Sequence, residues 1–358
     1  MDEKELAYAK QGALATKNWD CFQRVIRRCL RKREGADALL PERDLLLPVG
    51  VLLSLLLLAM ISFTTPSLAM TRTLQKGPAI VIVAFGTTTD ARETYDFFEN
   101  QLRQELPEPW LKAPISWAYT SEIVRERANK KFAEKGDPQR YRSLMQVLAD
   151  LEDQGYRQVA VQSLHIFPGQ EYEEMVKVIN AFRGLGLRIE YGGTLMHKWE
   201  MVFEAVGAVS QEFLPVADGC TLLVGHGTPE SFSEANNTFL GLDRYLSQKY
   251  PKVFAGTVNG VLTREQTLAQ AKVCSPKRVR IVPFMFVAGD HIMNEIMGNE
   301  QGKDGASSWA KELEDAGITV ETVSTEYQGR KVLKGLGFYP EINRIFIKQL
   351  TASLQRLQ

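Results

Sequence analysis

Short apolar runs alternate with longer stretches of helical period through most of this chain. Residues 78–87 read PAIVIVAFGT, a near-continuous apolar run closed by glycine. A run without polar alternation predicts a strand covered on both faces, as in a parallel sheet. Further strands are expected at 114–119, 157–167 and 187–191. Helical patterns occupy 91–106, 122–135, 141–154 and 170–182, and another runs from His197 to about residue 213. The order then repeats. Strands are expected at 221–224, 253–258, 278–287 and 319–323, with helices at 232–249, 263–272, 307–316 and 340–357.

Strand–helix alternation argues for α/β layers with parallel sheets. The expected architecture is two similar domains, each a four-stranded parallel sheet flanked by helices. The boundary falls in the Pro-, Asp- and Gly-containing stretch 215–219. That assigns residues 72–215 to the first domain and 216–358 to the second, with 340–357 as its closing helix. A ligand cleft is expected between the C-terminal strand edges of the two sheets.

The first 71 residues do not fit this pattern. Residues 45–63 read LLLPVGVLLSLLLLAMISF, without charge. Arg24, Arg27, Arg28, Arg31, Lys32, Arg33 and Arg43 precede them, and Ser67-Leu68-Ala69 follows. Basic region, apolar core and small-residue site predict a cleaved secretory signal and a periplasmic product. The alternative is an uncleaved anchor, its basic side cytoplasmic and the domains outside. The leader of residues 1–44 is unusually long for a signal, as a start codon assigned too far upstream would make it.

Composition narrows the function classes. The 358 residues carry 43 Lys and Arg against 43 Asp and Glu, so no basic excess exists for nucleic acid. Of the four cysteines, none forms a CxxC pair. Cys220 and Cys274 are expected as small buried residues without a bridge, although export would permit one. No GxxxxGK[ST] occurs, no GxGxxG follows a strand, and no GxSxG is present. ATP-driven, nicotinamide-dependent and serine-hydrolase chemistry therefore lack their usual signatures.

The chemical signal lies in the histidines, of which there are four. His226 stands between Gly225 and Gly227 at the end of one strand, and His291 closes another apolar run. His165 ends a strand in the first domain. A lone His at a strand end reads more readily as a hydrogen-bonded structural residue. Three of four so placed favour chemistry, because equivalent strand ends bring imidazoles within reach of one Co, Fe, Ni or Zn ion. Glu295 shares a face with His291 if 290–297 is helical. His197 reads as structural. The Gly86-Thr87-Thr88 junction offers hydroxyls and N–H groups to an anion, or simply caps the next helix.

Several ordered motifs carry a resemblance. They are Val83-Ala84-Phe85-Gly86-Thr87, Ala118-Tyr119-Thr120-Ser121, and Val159-Ala160-Val161-Gln162-Ser163-Leu164-His165-Ile166. Gly169-Gln170-Glu171-Tyr172-Glu173 and Val224-Gly225-His226-Gly227 continue the series, and Pro283-Phe284-Met285-Phe286-Val287-Ala288-Gly289-Asp290-His291 closes it. Together they resemble the anaerobic cobalt chelatases of sirohydrochlorin, class II tetrapyrrole chelatases related in fold to ferrochelatase. The export signal resembles that of a periplasmic branch.

The resemblance implies insertion of a divalent metal into a tetrapyrrole without ATP or nicotinamide, with Co²⁺ first and Fe²⁺ or Ni²⁺ as alternatives. It implies His226 and His291 as metal ligands, with His226 also catalytic. The family's third ligand, a Glu, falls on Asn259 here. A neutral amide is a weaker ligand and cannot take a pyrrole proton. Glu265 lies further on as a candidate substitute. His165 or Glu171 is the candidate proton acceptor. Thr87, Thr88, Thr120 and Ser121 are candidates for the substrate's carboxylates, and Phe85 and Tyr119 for stacking on its ring. A homo-oligomer is left open. The rival reading is a non-catalytic exported binder of metal, haem or a metallo-tetrapyrrole. A two-lobed periplasmic solute-binding protein shares the outline but gives no reason for paired histidines.

Overall fold

A computed structural model describes residues 73–298 and 307–358; the leader and its apolar run lie outside the described residues. Among the described residues no helix is long and apolar enough to cross a membrane.

The first sheet contains β1 (Ala79–Ala84), β2 (Ile115–Tyr119), β3 (Gln158–Ser163) and β4 (Arg188–Gly192), in the order β2-β1-β3-β4. The second contains β5 (Cys220–Gly227), β6 (Val253–Asn259), β7 (Arg278–Pro283) and β8 (Thr319–Thr322), in the order β6-β5-β7-β8. All pairs within both sheets are parallel. The helices are α1 (Glu93–Glu105), α2 (Glu122–Glu134), α3 (Leu144–Asp153), α4 (Gln170–Gly184) and α5 (Trp199–Val209), then α6 (Ser233–Lys249), α7 (Arg264–Lys272), α8 (Trp309–Asp315) and α9 (Pro340–Arg356). The expected two-sheet α/β architecture is therefore present.

The period-2 pleat explains why β1 is apolar throughout. Ile80, Ile82 and Ala84 face one core, and Ala79, Val81 and Val83 face another. The second of these is closed by α3 and α4, through Val147, Leu148, Met175 and Ile179. The outer face of the second sheet is closed by α7 and α8, through Leu268, Trp309 and Leu313. The inner faces of both sheets share one continuous core with α1, α5, α6 and α9, including Phe98, Val206, Leu242 and Phe346. Helix starts follow local chemistry. Ser121, Ser143, Thr263 and Ser308 each accept a backbone N–H from the first turn of α2, α3, α7 and α8.

Three features differ from the sequence-based expectations. Helix α9 does not stay with the second half: it packs against β3 and β4 of the first sheet and against α1 and α5. Its Arg356 pairs with Glu190 of β4 at 2.8 Å. An amphipathic helix at the chain end carries no local signal of which sheet it will cover. Next, Cys220 and Cys274 are joined as a disulfide, where unbridged residues were expected. They lie at the start of β5 and just beyond α7, 54 residues apart in sequence. Last, the 278–287 run is a strand only to Pro283, and Ser324–Tyr327 and Arg330–Leu333 form an unexpected antiparallel hairpin, β9–β10. Pro283 has no N–H to offer β8, and beyond it only the Phe284 N–H still donates, to the Val224 carbonyl of β5.

Candidate functional site

Strand β5 carries His226 to the C-terminal edge of the second sheet, and its flanking glycines each have a steric reason. A Cβ on Gly225 would meet the Phe239 ring at 2.9 Å. A Cβ on Gly227 would overlap the Asn259 carbonyl oxygen, and Gly227 has φ +79°. Glycine alone adopts this backbone without strain and lets β6 close against β5. Gly227 and Asn259 are in register, so position 259 stands beside the histidine on the adjacent strand.

His291 arrives by a different route. After Pro283 the chain leaves the sheet and opens a π-helical turn, His291–Ile296. Such turns are rare and are frequent at functional sites. The His226 and His291 rings lie edge to face with centroids 4.7 Å apart. His226 Nδ1 is 3.1 Å from the Gly227 carbonyl oxygen. A carbonyl only accepts, so Nδ1 carries the proton and Nε2 keeps its lone pair. Burial, reinforced by the neighbouring His291, pulls the His226 pKa below its ordinary value, which keeps that lone pair available at neutral pH. His291 Nδ1 lies 3.0 Å from Glu295 Oε1 but off the line of a hydrogen bond, and it has no hydrogen-bond partner.

A cavity of about 1470 Å³ opens in front of this pair. It exceeds the roughly 300–1,000 Å³ of most small-ligand sites, as a macrocycle requires. The first sheet supplies the opposite wall with Phe85, Thr87, Thr88, Ser121, His165 and Glu171. The Phe85 ring comes within 5.7 Å of the His226 ring. The rim is closed by two matching contacts. A Cβ on Gly169 would meet Thr228 Oγ1 at 2.9 Å, and one on Gly289 would meet Thr87 Oγ1 at 3.0 Å. The loop after the third strand of each sheet thus rests on the threonine after the first strand of the other.

The remaining candidates are placed less uniformly. Asn259 lines the cavity with its side chain exposed. Glu265 does not; it points to solvent in the first turn of α7. Tyr119 is buried and stacked on Tyr141 at 3.7 Å, so its ring is not brought to the cavity. Thr120 sits behind the wall, 3.2 Å from His165 Nε2. Thr87 Oγ1 is engaged by Thr89 at 2.9 Å. His197 is exposed, away from the cavity, its ring over Gly193.

His165 is held at both nitrogens. Ser163 Oγ lies 2.8 Å from Nδ1 and also accepts the His165 backbone N–H at 3.2 Å, so its hydroxyl proton is directed to Nδ1. Thr120 Oγ1 donates to the Ala84 carbonyl and accepts from Nε2. Burial lowers the His165 pKa to about 4. This imidazole has no free lone pair facing the cavity, which weighs against it as a proton acceptor.

Residues that the sequence reading missed are Arg127 of α2, which lines the cavity and has no ion pair or hydrogen bond among the described residues, and Met293, Asn294 and Trp309. Arg264 also lines it but is held by Glu312 at 2.6 Å and by the Ser307 carbonyl. Nothing in sequence separates Arg127 from an ordinary solvated helix residue. Among the described residues no three His, Cys, Asp or Glu side chains are gathered that could hold a metal ion.

A cobaltochelatase of sirohydrochlorin from Nitratidesulfovibrio vulgaris is 27% identical over 286 residues, covering 78% of this chain and 91% of that protein. The sirohydrochlorin cobaltochelatase of Salmonella typhimurium is 26% identical over 281 residues, covering 77% and 96%. Among solved structures, SirB from Bacillus subtilis with Fe³⁺ is similar with a TM-score of 0.46 and 16% identity, covering 79% of this chain and 98% of that one. The SirB chelatase from Bacillus subtilis subspecies spizizenii with cobalt gives 0.47 and 13%, covering 78% and 96%. The profile of the cobalt chelatase (CbiK) family matches residues 78–355, which is most of the chain, and this protein belongs to that family.

Proposed function

We propose that this protein inserts a divalent metal, Co²⁺ foremost, into sirohydrochlorin. The observation that carries the reading is the His226–His291 pair, 4.7 Å between rings, at the edge of a macrocycle-sized cavity. The similarity to two sirohydrochlorin cobaltochelatases supports the substrate. Insertion replaces two pyrrole N–H bonds by two N–metal bonds and releases two protons, so the dication enters without oxidant, reductant or nucleotide. His226 Nε2 and His291 hold the ion, with Asn259 or water beside it. Incomplete coordination favours hand-over, because the ring nitrogens can enter without displacing a full set of protein ligands. Glu171, at the start of α4 in the opposite wall, is the proton acceptor in this reading. Phe85 lies against the ring, and Arg127 meets a peripheral carboxylate.

The test is optical. Purified protein, metal-free sirohydrochlorin and Co²⁺ give a catalysed change in the macrocycle spectrum, and His226→Ala or His291→Ala abolishes it in a folded protein. Wild-type turnover in both variants would overturn the reading. A stable protein–tetrapyrrole spectrum without catalysed insertion would favour the non-catalytic binder, a reading that Asn259 motivates.

We also propose that the protein works outside the cytoplasm. The leader's basic–apolar–small pattern supports this, as does the Cys220–Cys274 disulfide, a bond that persists in oxidising compartments. Fractionation of cells producing the full chain tests it; activity confined to the cytoplasm would refute it.

A further inference from the structure

His226 and His291 carry the same arrangement in unequal form. On His226 a fixed backbone carbonyl faces Nδ1 and leaves Nε2 to the cavity. On His291 the corresponding Nδ1 is buried without a hydrogen-bond partner, and a carboxylate oxygen of Glu295 lies 3.0 Å away. Glu295 is on the same π-helical turn, lines the cavity, and is about half exposed. An imidazole that binds a metal through one nitrogen gains orientation and donor strength when the other donates to a carboxylate. Hydrogen bonds of this kind are often misaligned in the unliganded protein and tighten only in the complex. The amide at Asn259 brings no negative charge to the cation, so charge compensation falls to the carboxylates that face the pair.

We propose that Glu295 is the positioning residue of the metal site: its carboxylate accepts the Nδ1 proton of His291 in a hydrogen bond, holds the ring in the form whose Nε2 is a donor, and strengthens that nitrogen toward the incoming divalent cation. This rests on His226 and His291 being the cation's ligands. It adds a role for the four-residue spacing, which in this π turn brings the carboxylate within 3.0 Å of Nδ1.

The experiment is titration of the full-length protein with Co²⁺ alone, read by visible absorption, beside steady-state insertion assays. Glu295→Ala is expected to weaken Co²⁺ binding about 10- to 100-fold. The KM for Co²⁺ rises with it, while binding of metal-free sirohydrochlorin is unchanged. Glu295→Gln is close in shape, keeps the acceptor and loses the charge, so it falls between wild type and Glu295→Ala with the wild-type cobalt spectrum. Wild-type Co²⁺ affinity in Glu295→Ala overturns the proposal. So does an equal loss in Glu295→Gln with a changed coordination spectrum, which would make Glu295 a direct ligand. If the wild-type protein itself binds no Co²⁺, the chelatase reading fails; if it binds and the Glu295 variants are indifferent, only this inference fails.

Discussion

At the scale of single residues, the candidate site is an exercise in which nitrogen is left free. His226 and His165 are both imidazoles beside a strand end, and their surroundings give them different uses. One has Nε2 open to the cavity, and the other has both nitrogens occupied by hydroxyls. The His165 arrangement has a pH consequence. Its pKa is about 4 in the folded protein against 6.5 as the ordinary value. As pH falls below 6.5 the unfolded chain takes up the proton and the folded one does not, so stability declines until the folded group also protonates near pH 4. The full effect is at most roughly 3 kcal/mol, at one pKa unit per 1.36 kcal/mol. Denaturant unfolding of wild type and His165→Gln between pH 7 and 4 should show the wild type losing more stability; parallel curves would reject the account. Arg127 is a second test at this scale. Its exposure limits its contribution, so Arg127→Ala should raise the KM for sirohydrochlorin about three- to tenfold, a loss of order 1 kcal/mol. The kcat should change little.

Secondary-structure elements set where those residues go. The β5 strand and its Gly-His-Gly end were legible from sequence because the signal is local: an apolar run, then residues whose small size the neighbouring strand demands. Gly227→Ala should therefore damage fold and site together, since no rotamer choice removes a Cβ from the Asn259 carbonyl. Soluble yield and thermal midpoint check this. His291 was expected at a strand end and is found on a π turn, because Pro283 ends β7 and the next residues pack as a loop. The strand signal there was misread, since apolar residues in a buried loop resemble those in a buried strand. The Cys220–Cys274 bond also belongs to this scale. It ties the start of β5 to the segment after α7 and closes a loop of 54 residues. The chain-entropy argument gives about 4 kcal/mol for a loop of that length. A Cys220→Ser, Cys274→Ser double variant should unfold at clearly lower denaturant concentration than the oxidised wild type, and equal midpoints for the two would contradict it.

For the molecule as a whole, the cavity depends on the two sheets facing one another. The matching contacts of Gly169 on Thr228 and Gly289 on Thr87 fix the rim, and α9 returns from the second half to cover the first sheet. Adding methyl groups at Gly169 should force the rim apart. Gly169→Val is expected to cost about 1–3 kcal/mol, as overpacking does. It should also weaken substrate binding more than Gly184→Val. Gly184 has open space around it and sits in a helix, so that control meets no clash and gains slightly in helix propensity.

The amino-acid sequence by itself determined the two-sheet α/β order and put His226 at a strand end and His291 after the next apolar run as candidates, because each rests on periodicity or on side-chain type within a few positions. Tertiary structure alone decided that Thr120 occupies Nε2 of His165, that Tyr119 turns away while Arg127 turns in, and that the last helix crosses to the first sheet. The physical reason is common to all three. They depend on distances between segments far apart in the chain, set by how the elements pack, and no local pattern of residues encodes those distances.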